Sequence, residues 1–222
     1  MTAAPQSTLA VRGEAELEVA PDLAVLDLTV QTQDRQRDVV LRTLAERLRT
    51  VRESLTAYGA AVERVDTGSL WVNPLRPGSR RGGDKVTGYQ GSAQLQITVV
   101  DFEVLGEIVL ALAGQEQTAL QGPQWRLRPD NPGHQQVREQ AVAAALLRAR
   151  QYAATLGSTL TALVELADQG LGGDGGHHPG GMFRAMAYSP SDDQPDLDLQ
   201  PVPQTLHATV EARFTMTPPD LG

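Results

Sequence analysis

The chain has 222 residues, 19 basic and 27 acidic side chains, a formal net charge of −8 and no cysteine. That length suits one domain, or one domain with a lobe. The absent thiols exclude disulfides, thiolate nucleophiles, iron–sulfur clusters and cysteine zinc fingers, and the acidic balance argues against nucleic-acid binding by phosphate neutralisation.

A hydrophobic content of 41% beside 21% charge describes a globular core rather than a disordered chain. Lys85 is the only lysine, so Schiff-base chemistry has one candidate, in a glycine-rich loop. Residues 1–19 carry no basic stretch followed by an apolar run of signal-peptide length. No run approaches the roughly 20 apolar residues that cross a bilayer. The sequence as written therefore reads as cytoplasmic, or as periplasmic or envelope-located if a leader was removed.

Residues 1–7 and 218–222 read as disordered ends around a domain at 8–217. Residues 8–19 alternate, with Leu9, Val11, Gly13, Ala15, Leu17 and Val19 facing one way and Arg12, Glu14, Glu16 and Glu18 the other. This period of two predicts a half-buried antiparallel strand. Pro21-Asp22 suits a turn, and Ala24, Leu26, Leu28 and Val30 continue as a second strand, so the two runs are expected to form a hairpin. The outward glutamates are expected to meet cross-strand arginines such as Arg213.

From residue 35 to 58 the period changes. Leu41, Leu44, Leu48, Val51, Leu55 and Tyr58 form one stripe of a long amphipathic helix closed by Gly59. Strands are predicted at about 65–75 and 86–100, joined by RPGSRRGGD, a hairpin loop without apolar side chains. Asp101 is placed to cap a short helix ending near Gly114. A strand at 118–128 follows, and Asp130-Asn131-Pro132 opens a second long helix with the stripe Val142, Leu146, Ala149, Ala153 and Leu156, ended by Gly157. Its small alanines would let it lie close to whatever it covers. Residues 160–167 read as a short strand and 206–216 as the last one, with Leu206, Ala208, Val210, Ala212, Phe214 and Met216 inward. The expected fold class is α+β: a mostly antiparallel sheet packed on one face by two long helices and one short helix.

Residues 169–200 have a different character, rich in Gly, Pro and Asp and without periodicity. A stretch of that length inside a domain reads as a flexible or functional loop. Gly170 to Gly175 formally match G-x-G-x-x-G, but His177-His178-Pro179 follows where a dinucleotide site needs a helix, so no cofactor is expected. His177, His178 and Asp174 are the candidate metal ligands; the aspartates after them lack the glycine and glutamate of an EF-hand. No catalytic residue is assigned, because Ser79 lies outside a nucleophile elbow and Ser92 has no histidine base beside it in sequence. Arg76, Arg80 and Arg81, with Lys85, form the one basic cluster. They are the candidate partner contacts, suited to an acidic run at 192–198 of a neighbouring copy.

Several short pieces, taken in order, resemble one family. They are Val11-Arg12-Gly13, Pro21-Asp22, Gly88-Tyr89, the Ala- and Arg-rich segment from Ala141 to Arg150, Leu156-Gly157, and the closing strand Thr209 to Phe214. In this order and spacing they resemble the SIMPL-domain family, also called DUF541, over about residues 8–217. The resemblance implies a sheet packed against long helices and a bacterial protein of poorly defined role, with no catalytic residues to carry over. It also implies members exported to the periplasm or envelope, some assembled into rings, several linked to stress tolerance. The lysine typical of the family's long helix is absent here, where Gln151-Tyr152-Ala153 follows Arg150. The resulting expectation is a non-enzymatic, homo-oligomeric binding or assembly module without nucleic-acid partners or a transmembrane segment. The alternative is a metal- or small-ligand-binding stress protein using the 170–198 loop.

Overall fold

The computed structural model describes residues 7–76, 86–168 and 197–219. Its strands and helices run β1 (Ser7–Val19), β2 (Leu23–Asp34), α1 (Arg37–Thr56), β3 (Val62–Leu75), β4 (Gly88–Val99), α2 (Leu105–Ala113), β5 (Thr118–Arg126), α3 (Gly133–Thr155), β6 (Leu160–Asp168) and β7 (Gln204–Met216). The α+β class holds, but the strands form two antiparallel sheets, ordered β1-β7-β6 and β3-β4-β2-β5. They belong to two compact units: β1, α3, β6 and β7 make one, and β2 to β5 with α1 and α2 make the other.

The expected hairpin of the first two strands does not form. β1 pairs along its whole length with β7, from Ser7 opposite Met216 to Val19 opposite Gln204, while β2 lies between β4 and β5. The turn itself shows why. Asp22 N–H donates to the Arg126 carbonyl at 2.9 Å, and the Asp22 carboxylate accepts from Arg128 N–H at 2.7 Å. The Pro21-Asp22 corner is thus held to the end of β5 and starts a new sheet instead of folding back on β1. Alternation reports which face is buried, and it carries no information on which strand lies alongside.

In the first unit, α3 lies over β1 and β7. Its buried line is Val137, Ala141, Ala145, Ala149 and Ala153, a run of four-residue steps, which is the ridge along which a helix packs at an angle to its support. The stripe expected through Val142 and Leu146 is displaced: Val142 is exposed, and Leu146 packs only on the margin. The cause is steric. Gly13 in β1 leaves room for backbone only, so alanines must face it (a Cβ there would stand 2.7 Å from the Ala145 Cβ). Val11, Val210, Ala212 and Phe214 complete this thin core. At the helix end Gly157 takes φ +64°, and Ser158 N–H donates back to the Ala153 carbonyl at 2.8 Å.

In the second unit, Leu26, Leu28, Val30, Leu95, Ile97 and Val99 are fully buried under α1 and α2, with Leu105, Ile108 and Leu112 opposite them. On α1 the inward residue of the first turn is Val40, while Leu41 is 42% exposed. Gly91 of β4 makes the space that Val40 and Leu44 fill. Asp101 accepts from Glu103 N–H at 3.1 Å and so caps the turn before α2, whose own N-cap position is Val104.

Candidate functional site

The first unit's sheet turns its other face outward, and the β1–β7 register decides which charges meet there. Arg12 stands opposite Glu211 and donates to it at 2.9 Å. That hydrogen bond, reinforced by the Glu211 charge, raises the Arg12 pKa above its ordinary value. Glu16 stands opposite His207 at 3.3 Å, while Glu14 and Glu18 face Thr209 and Thr205. Arg213 therefore does not serve the β1 glutamates. It stands opposite Ala10 and reaches Glu165 on β6 at 3.7 Å. Between these pairs lies an open depression of about 340 Å³ lined by Ala10, Arg12, Glu165, Ala167, Glu211 and Arg213. The ionised groups that line it form two opposite-charge pairs, Arg12 with Glu211 and Arg213 with Glu165, at half-exposed positions where solvent screens them.

β6 is the outer strand of this sheet, and among the described residues no strand pairs with its second edge. Register shifts between Leu160 and Ala162 and between Leu163 and Glu165 leave Thr161 and Val164 as extra residues on the outer strand. Because α3 covers β1 and β7 and barely reaches β6, only Leu160 at the start of this strand packs against the core, and the apolar side chains farther along are little covered by the described residues. Leu163, Val164 and Leu166 are 54%, 55% and 49% exposed. The short strand expected at 160–167 is present as β6, Leu160–Asp168. The structure sets Leu163 and Val164 on the outer strand of the sheet, largely exposed.

Of the candidate residues, Arg76 follows β3 directly and is exposed. Arg80 and Arg81 lie outside the described residues, as do His177, His178 and Asp174. Among the described residues no group of three or more His, Asp or Glu side chains is arranged to hold a metal ion. His134 sits in the first turn of α3, as expected, and Ser92 is buried in mid-strand between Gln31 and Trp71. Among the described residues no helix is long and apolar enough to cross a membrane.

The chain is 27% identical over 177 residues to a protein named 26 kDa periplasmic immunogenic protein from Brucella melitensis biotype 1, covering 76% of this chain and 68% of the relative. The protein of the same name from Brucella abortus strain S19 matches with the same identity and coverage. The pattern of the SIMPL family, described as a protein of unknown function (DUF541), matches residues 9–214. From the first strand to the last, this chain belongs to the SIMPL (DUF541) family.

Proposed function

We propose that the protein is a non-enzymatic assembly module that self-associates through the outer edge of β6. The observation that carries this reading is the exposure of Leu163, Val164 and Leu166 on a strand whose second edge pairs with no described strand. The partner is a second copy of the chain. Glu165, the acid at the centre of this edge, is already held by Arg213 at 3.7 Å, so an identical edge can approach without an unmatched charge at its middle. Covering three half-exposed side chains on each of two copies gains about 6 kcal/mol gross. That is comparable to the freedom lost on association. Backbone pairing and flanking contacts must supply the remainder, and the assembly is expected to depend on concentration.

The name of the Brucella relatives supports a periplasmic location, and the stress-tolerance role implied by the family resemblance belongs to the same reading. Light scattering tests the assembly. A molar mass that is a multiple of 23.8 kDa supports it, and a mass equal to one chain at all concentrations refutes it.

A further inference from the structure

The four-stranded sheet has a second face, turned away from α1 and α2, and it is built largely from amides and hydroxyls. The register sets Asn73, Gln90 and Gln33 side by side across β3, β4 and β2. One step along the strands come Trp71, Ser92 and Gln31, then Gln94 beside Thr29. Farther on, Gln96 and Gln124 donate to the two carboxylate oxygens of Asp27 at 3.3 and 3.0 Å, and Arg64 is matched by Asp66 at 2.6 Å. The three rows between Asn73 and Gln94 carry no ionised side chain, in a chain of which 21% is charged.

Two further features point to a ligand. Trp71 is 40% exposed and takes no part in the core, whereas Trp125 packs edge-on against Phe102 at 5.0 Å. Beside the Trp71 row lies a depression of about 290 Å³ lined by Gln31, Gln33, Gln90, Gln117 and Thr118. Arg47 donates both to the Gln31 carbonyl and to the Gln117 side chain, which fixes the orientation of that amide.

We infer that this face binds a neutral oligosaccharide. An amide side chain presents two donors and an acceptor in one plane, which matches sugar hydroxyls that both give and accept. An exposed indole offers a flat apolar surface for the C–H face of a sugar ring. The uncharged rows give an acidic or basic peptide nothing to pair with, and Arg47 at the depression is already engaged by Gln31 and Gln117, which leaves a nucleic acid's phosphates little to bind. Successive rows two residues apart span about 14 Å along the strands, room for a short chain of sugar rings rather than a single one. The inference does not rest on self-association. A Leu163→Glu chain is expected to bind the same sugar, so failure of one idea leaves the other standing.

The experiment is calorimetric titration of the full chain with cellohexaose, maltohexaose and chitohexaose, with a twelve-residue oligothymidine as the charged comparison. Saturable binding of at least one sugar is expected. Trp71→Ala should weaken it about tenfold or more, while Trp71→Phe stays within about threefold. Gln31→Leu and Gln94→Leu should each weaken it severalfold, with melting temperatures near wild type because these side chains stand outside the core. The proposal is overturned if no sugar binds saturably up to about 5 mM, if Trp71→Ala binds as well as wild type, or if the oligothymidine binds more tightly than every sugar.

Discussion

A Cβ atom on Gly13 of β1 would stand 2.1 Å from the carbonyl oxygen of Ala141 in α3. Sheet and helix meet there backbone to backbone, which explains both the alanine line of α3 and the glycine under it. The obstacle is main chain, so relief requires lifting the helix. Gly13→Ala is expected to destabilise the first unit by about 3 kcal/mol, measurable as a lower midpoint in urea denaturation. Ala141→Ser, which adds only a hydroxyl on the helix side, should cost less.

Gly91 in β4 is filled differently. A Cβ there would meet side-chain ends, Leu44 Cδ1 at 2.6 Å and Val40 Cγ1 at 2.7 Å. Gly91→Ala should therefore cost about 1 kcal/mol, and Val40→Ala should leave a cavity. Combined, the added methyl occupies the vacated space. The double variant is expected to lose less stability than the two single losses summed, a coupling that thermal melts of all four proteins would reveal.

Glu63 gives the second unit a pH-dependent contact. A hydrogen bond from Arg128 holds its carboxyl below the usual carboxylate range. A depressed pKa in the folded state means stability that is fully present at neutral pH and lost as pH falls through the folded value. Both partners are substantially exposed, so solvent screens the pair and the effect is small. Glu63→Gln should melt slightly below wild type at neutral pH, and the two curves should converge in acid.

Leu163→Glu and Leu166→Glu place a charge on the rim of β6. Each is expected to weaken self-association about tenfold or more, with little effect on the melting temperature of the isolated chain, because both side chains are half exposed. Sedimentation at several concentrations would show it. Arg80→Glu and Arg81→Glu test the alternative contact through the basic loop and should leave the mass unchanged if β6 carries the assembly.

Local pattern revealed the elements and missed their partners. The alternation from Leu9 to Val19 and from Leu206 to Met216 correctly gave the buried faces, yet nothing in it shows that these two strands lie together, nearly two hundred residues apart. Pro21-Asp22 looks like a hairpin corner because a turn's chemistry is the same whether the chain doubles back or enters another sheet. The stripe on α3 was displaced because Val142 and Leu146 are larger than the alanines, and hydrophobicity alone ranks them as more buried. Gly13 reverses that order by admitting only small side chains. The β6 rim was illegible for a related reason. LTALVELA is apolar enough to be a buried strand, and its place at an edge depends on how α3 is positioned over β1 and β7.

Amide hydrogen exchange across residues 160–168 as a function of protein concentration tests the assembly most directly. If β6 joins copies of the chain, its amides should become protected in step with the rise in molar mass, and Leu163→Glu should remove both changes together. Mass that rises while β6 exchanges at an unchanged rate would contradict the account.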